Sequence, residues 1–341
     1  MKSSLKILCA LFIIINMNAI AQNKTWKSIT EQSEGSWFAT NEAKAIAENV
    51  LLYQRNIGGW PKNIQMHKPL LDEEKVELKA LKDNSDNVTT ANGATFQEMV
   101  FLSKMYRQVP DNEYKKAFLL GLDYILKAQY DNGGWPRTYP LKSGYFSHIT
   151  YNDDSMINIL MILKEIKNRT NYFSITPSDE IIKKSEIAFN KGIDCILKTQ
   201  YKQNGVLTSW CGQHDAVTLE PTKARPYELP SLSGSESVSI VLFLMAIEKP
   251  SKEISDAIVN AVNWFEKVKI TGLREEVILN ENGKIIDKKM ISDANAPVIW
   301  SRFMELEDNR AFFSDRDGIK KYALSEISNE RRIGYKWYTN E

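Results

Sequence analysis

Only three cysteines and three histidines occur in 341 residues. That is too few cysteines for a disulfide scaffold. His67, His148 and His214 match no zinc signature such as His-Glu-x-x-His, so a histidine-based metal centre is not expected. There is no Gly-x-Ser-x-Gly elbow, and the Gly234-Ser235 pair stands where a helix begins, which leaves no signal for a serine nucleophile. No polybasic tract appears, and the formal charge of +1 becomes −1 once Lys2 and Lys6 are removed (+1 minus 2), so nothing points to nucleic acid. No apolar run approaches the ~18 residues of a membrane span. Alternation of strand type is scarce too: only Arg274 to Lys288 reads as a hairpin, turning at Asn282-Gly283.

The rest is ordinary globular composition, 43% apolar and 26% charged. Residues 1–21, "MKSSLKILCALFIIINMNAIA", carry Lys2 and Lys6, a short apolar stretch and a small-residue end, the layout of a secretory signal peptide. A secreted or periplasmic protein is expected, with one domain over residues 22–341, acting as a monomer. Cys9 falls in the signal, and Cys195 and Cys211 are expected as two buried free thiols.

Apolar residues at helical period fill 41–54, 94–108, 112–129, 154–166, 179–200, 236–247 and 252–268. Three helix ends superpose as "LLYQRNIGGWPKN", "LKAQYDNGGWPRT" and "LKTQYKQNGVLTS", with Gln54, Gln129 and Gln200 in register. A unit of two helices and a long loop cannot bury itself alone, so such units pack side by side. The expected fold is all-α: an α/α toroid of helical hairpins with long loops at one end and a minor β-hairpin. Gly58-Gly59 and Gly133-Gly134 supply the positive-φ positions that stop the helices, and Pro61 and Pro136 forbid resumption. Trp60 and Trp135 either cap the core over these loops or present a sugar-facing plate, while Lys62 and Arg137 face an incoming polyanion.

In "HITYNDDSM", Asn152 is a candidate N-cap and Asp153 and Asp154 fall in the first turn. Their oxygens are hard ligands suited to Ca²⁺, with Asp215 as a further carboxylate from the long loop 209–237. That loop also offers Lys223 and Arg225, with Glu228 able to hold one of them, and Ser233, Ser235 or Ser237 to cap the next helix. His148 and His214 flank the carboxylates as hydrogen-bonding groups. Arg302, on an expected amphipathic helix, and Arg316 are guanidinium groups suited to bidentate grip of a carboxylate.

The blocks "NIGGWPKN", "NGGWPRTYP", "TYNDDSM", "SWCGQHDAVTLEPTKARPYELPSLSGSES" and "RFMELEDNRAFFSDRDGIKKY" resemble the pectate lyases of polysaccharide lyase family ten, over about residues 40–337. The resemblance implies an α/α toroid that cleaves homogalacturonan and its oligogalacturonides by Ca²⁺-assisted anti β-elimination. It implies Asp153, Asp154 and Asp215 as metal and substrate-side acids, Arg225 as the base and Arg302 and Arg316 as uronate ligands. Lys223 is the reserve base, and His148, His214, Trp135 and Arg137 complete the expected substrate contacts. Two alternatives stay open: a toroidal glycoside hydrolase using two of the aspartates, and a non-catalytic uronate-binding protein.

Overall fold

The computed structural model describes residues 24–340; the expected signal peptide and Cys9 lie outside the described residues. Ten α-helices follow in order: α1 (Trp26–Thr30), α2 (Asn41–Tyr53), α3 (Asp72–Ala80), α4 (Phe96–Gln108), α5 (Asn112–Lys127), α6 (Ser155–Lys167), α7 (Asp179–Thr199), α8 (Gly234–Met245), α9 (Lys252–Val268) and α10 (Asn329–Gly334). The seven long ones are those the periodicity predicts. Side chains start them: Thr40 Oγ1 accepts the Ala43 amide, Asp111 that of Glu113, Ser178 that of Ile181 and Ser251 that of Ile254.

Consecutive helices pair as hairpins, α4 with α5, α6 with α7 and α8 with α9. The members α4, α6 and α8 neighbour one another in one layer, and α2, α5, α7 and α9 in the other. This is the expected α/α toroid. Its seam is the apolar stripe of each helix; in α7 it runs Ile182, Ala188, Phe189, Ile193 and Ile196, all buried. Each such large aliphatic or aromatic side chain removed from water contributes roughly 1.5–3 kcal/mol.

The repeated glutamines act as clasps between units. Gln54 Nε2 donates to the carbonyls of Gly58 in its own loop and Ala117 on α5, at 2.7 and 2.8 Å. Gln129 Nε2 reaches Gly133 and Ala188 on α7, at 3.0 and 2.8 Å, and Gln200 Nε2 reaches Thr208 and Ala257 on α9, both at 2.9 Å. The tryptophans repeat as well. Trp60 Nε1 donates to Val50 O, Trp135 Nε1 to Ile125 O and Trp210 Nε1 to Ile196 O, at 2.8, 2.9 and 2.8 Å. Their rings need glycine on the next helix: a Cβ at Gly121 would meet Trp60 at 3.0 Å, and one at Gly192 would meet Trp135 at 2.9 Å. The third unit carries Ala261 at the matching place, four residues beyond the clasped Ala257.

Trp60 and Trp135 are therefore buried, at 0% and 1% exposure, which decides between the two readings of these rings. Trp135 is no substrate plate: its ring is packed in the core and its only polar group is spent on a helix carbonyl. Cys195 and Cys211 are buried free thiols, as expected.

Past α9 the chain changes character. The hairpin Leu273–Leu279/Ile285–Ser292 turns at Asn282-Gly283 as predicted. Two-residue strands then tie the loops together: Leu232–Ser233 to Phe303–Met304, Trp300–Ser301 to Tyr338–Thr339, and Ile149–Thr150 to Gln213–His214. Phe303, Phe312, Phe313 and Trp337 fill a small aromatic core beneath them. Arg302 thus lies between two short strands and not on a helix, because its neighbours pair with the C-terminal segment.

Candidate active site

The loops that leave α2, α5 and α7 and the C-terminal segment bring Lys62, Arg137, Arg225 and Arg302 into one group of cations around Asp153 and Glu228. Lys62 and Arg137 close the doubled Gly-Gly-Trp-Pro motifs, so the same stop signal that ends each helix delivers a cation to the same rim. Lys62 is half-buried and feels the charges of Arg137, Asp153, Arg225 and Glu228. Burial first, and then Arg137, lowers its hold on its proton below that of an ordinary lysine. Arg137 is buried, donates from Nη2 to Asp153 Oδ2 at 3.2 Å, and stands 5.9 Å from the Tyr145 ring centre.

The acidic corner has an unusual backbone. Asp153 and Asp154 are both left-handed, with φ of 57° and 56°, and the three-residue turn Asn152–Asp154 precedes α6. The N-terminal neighbour of α6 is Asp154, so Asn152 is not the cap expected of it; its buried Oδ1 instead accepts Arg302 Nη2 at 3.1 Å. A left-handed pair of this kind holds both carboxylates out of the helix, at a cost of order 1–3 kcal/mol for each strained residue.

Arg302 also donates to Glu236 Oε1 at 2.6 Å, and its guanidinium lies 4.7 Å from the centre of the Tyr335 ring. Burial works to weaken its proton affinity, but Glu236 together with Tyr335, Glu228 and Asp153 more than reverses this, so it stays a cation. Arg225 makes a two-pronged pair with Glu228: Nε to Oε2 at 2.7 Å, and Nη2 to Oε1. Glu228 holds it, as its position in the loop suggested. The consequence runs against the base role: those hydrogen bonds raise the guanidinium above its ordinary range, so in this geometry Arg225 is a firmly protonated cation.

The remaining expected residues divide. His148 is partly buried near Asp215, burial lowering its proton affinity and Asp215 opposing that. Asp215 lies on the same side, but its Oδ1 accepts the amides of Val217 and Thr218 at 2.9 and 2.8 Å, a turn that holds it below the usual carboxylate range. Among the described residues no group of three or more His, Cys, Asp or Glu side chains gathers as a metal cage. Asp153, Asp154 and Asp215 therefore do not form the single metal set expected of them. His214 is wholly buried, its Nδ1–H donating to Leu219 O at 2.8 Å, and packed edge-on to Tyr151. It is structural and not a substrate contact, and burial pushes it down to about 4. Lys223 stands exposed and makes no hydrogen bond or ion pair among the described residues. Arg316 is exposed and paired with Glu330 at 3.0 Å, 5.9 Å from Tyr227 at the outer edge of the arginine group.

Sequence reading passed over Glu236, Tyr335 and Arg331 and left Lys62 outside the site set. Glu236 carried a signal, a lone carboxylate in the apolar run that opens α8. Arg331 is buried against Tyr227, 4.3 Å from its centre.

No helix among the described residues is long and apolar enough to cross a membrane. Comparison with known proteins agrees with this geometry. The family model for pectic acid lyase matches residues 54–341. Among solved structures, a mutant of family 10 polysaccharide lyase from Cellvibrio cellulosa in complex with trigalacturonic acid superposes with a TM-score of 0.76 at 38% identity, covering 89% of this chain and 92% of that one. Family 10 polysaccharide lyase from the same organism gives a TM-score of 0.76 at 36% identity, with 91% and 94% covered. No curated protein matches. With its cations gathered by three repeated helix ends and its chain matched along nearly its whole length, this protein is a polysaccharide lyase belonging to the pectic acid lyase family.

Proposed function

We propose that this cationic site cleaves α-1,4-linked polygalacturonate by anti β-elimination, releasing 4,5-unsaturated oligogalacturonides, and that Ca²⁺ assists. The observation that carries this is the gathering of Lys62, Arg137, Arg225 and Arg302 from four segments around Asp153 and Glu228. Guanidinium forks suit uronate carboxylates, and the trigalacturonic acid bound by the mutant Cellvibrio lyase is such a ligand.

Elimination removes the C5 proton, moves its electron pair into the C4–C5 bond and releases the glycosidic oxygen from C4, which takes up a proton. The hard part is negative charge spreading onto the uronate carboxylate, and fixed cations already aimed at it reduce that cost. Arg302, anchored by Glu236 and Asn152, and Arg137, anchored by Asp153, are such cations.

Residues for the metal fit in part. Asp154 is exposed and has no hydrogen bond or ion pair among the described residues, and Asp153 spends one oxygen on Arg137, so the pair offers hard oxygens to an ion whose other ligands come from substrate and water. A closed cage of protein ligands does not exist here. Bound at that corner, Ca²⁺ would supply further positive charge to the uronate carboxylate.

Arg225 is assigned to the C5 proton, after Glu228 releases it; Glu228 has a second partner ready in the Tyr335 hydroxyl. A second reading gives the proton to Lys62, favoured by its lowered proton affinity. The sequence of residues 1–21 supports action outside the cytoplasm.

Polygalacturonate with Ca²⁺ should yield ultraviolet-absorbing unsaturated uronides, lost on chelation. New reducing ends without that chromophore would replace the lyase by a hydrolase, and binding without turnover would leave a uronate-binding protein. Arg225→Ala abolishing turnover while binding survives supports Arg225; if Lys62→Met does so instead, the second reading holds.

A further inference from the structure

We infer that Tyr335 is a positioning residue for the reaction: its hydroxyl competes with Arg225 for Glu228, and its ring seats Arg302. This rests on the assignment of Arg225 made above. Tyr335 Oη donates to Glu228 Oε1 at 3.0 Å, the same oxygen that takes Arg225 Nη2. One carboxylate oxygen is thus shared between the guanidinium and the phenol, and each bond weakens the other's claim on it. The ring meanwhile lies 4.7 Å from the Arg302 guanidinium, within cation–π range.

The phenol is held where it can do both. Its ring is 6.0 Å from Phe303 at 26°, 5.0 Å from Trp337 and 5.8 Å edge-on from Tyr227. Two residues further on, Trp337 O accepts the Arg302 amide at 2.8 Å, and Tyr338 pairs with Ser301. The C-terminal segment therefore fixes the register of Arg302 and of the ring beneath it together. Burial, opposed by Arg302, pushes the phenol above its ordinary range, so it remains a donor in alkaline solution.

Steady-state kinetics of the full chain on polygalacturonate with Ca²⁺ tests the inference. Tyr335→Phe keeps the ring and loses the hydroxyl; kcat is expected to fall about 10-fold, the order of one hydrogen bond to a charged group, with KM unchanged. Tyr335→Leu removes the ring as well and is expected to raise KM in addition. In a Glu228→Ala background, Tyr335→Phe should have no further effect, because its acceptor is already gone. Thermal melts verify that each variant folds. Wild-type kcat in Tyr335→Phe, or losses that multiply in the double variant, overturns the inference. Arg225→Ala is measured beside them: retained turnover there sinks the assignment of Arg225 and this inference with it, whereas lost turnover there with a multiplying double variant sinks this inference alone.

Discussion

Arg137 and Asp153 form a 3.2 Å ion pair in which the guanidinium side chain is 6% exposed and the carboxylate 32%. The arginine is therefore built in, and the aspartate is the member that meets solvent. Arg137→Ala leaves a cavity and a carboxylate without its partner, and the expected loss is about 2–3 kcal/mol of stability, discounted for the exposure of Asp153. Urea unfolding measures it, and kcat/KM should fall in the same variant.

Glu228→Gln removes the charge that ties the proton to Arg225. Burial pushes the Glu228 carboxyl up, but the Arg225 hydrogen bonds and charge outweigh this and leave it below the ordinary value. With that carboxylate gone, Arg225 loses its proton at lower pH, so the alkaline rise of kcat/KM should move downward in pH. An upward move, or none, would count against Arg225 as the group that titrates.

The metal assignment separates Asp154 from Asp215. Asp154→Asn should raise the Ca²⁺ needed for half-maximal activity while leaving the melting temperature alone. Asp215→Ala should do the reverse, costing about 1 kcal/mol through its lost turn bonds with the Ca²⁺ requirement unchanged. Titration of activity against free Ca²⁺ decides both.

Two buried groups oppose each other in acid. His214 is held neutral, its value down to about 4 from 6.5, so the unfolded chain binds more protons between those values and stability rises with pH there. Glu98, buried beside Trp26, is pushed up to about 7 from 4.5, so its contribution is complete below 4.5 and is lost as pH rises towards 7. Each effect is of order 3 kcal/mol at ~1.4 kcal/mol for each pKa unit, and they nearly cancel. Between pH 4.5 and 6.5 wild-type stability should be flat with respect to these two groups. Glu98→Gln should make it climb with pH, and His214→Gln should make it decline; chemical denaturation at several pH values shows which.

Gly192→Ala should destabilise by about 1–3 kcal/mol, since the added methyl meets Leu160 at 2.6 Å and Trp135 at 2.9 Å. Thermal melts should show a larger shift than for Gly205→Ala, whose Cβ meets nothing within 4 Å and whose only burden is a positive φ.

Local pattern made the helices and their toroidal packing legible, because a buried stripe writes its period directly into the chain. The triplicated glutamine was visible as a repeat, although its two-carbonyl grip was not, since the second acceptor lies 57 to 63 residues away. The same distance hid the site. Asp153, Arg225 and Glu228 stood out as charges in turn-rich loops, whereas Tyr335 and Glu236 gain their meaning only when the strands Trp300–Ser301 and Phe303–Met304, paired with Tyr338–Thr339 and Leu232–Ser233, bring Arg302 to them. Trp135 and His214 misled for one reason: an aromatic with a polar edge looks alike in sequence whether that edge meets a sugar or a buried carbonyl.

Because Gln54, Gln129 and Gln200 hand the frame from one helical hairpin to the next, what hangs between them is free to change. The third unit has lost the Gly-Gly-Trp-Pro wording and grown the long excursion that bears Arg225, yet its amide still reaches Ala257. The same two-carbonyl clasp thus holds two short loops and one long one, so loop length is set independently of the pitch at which the hairpins follow one another.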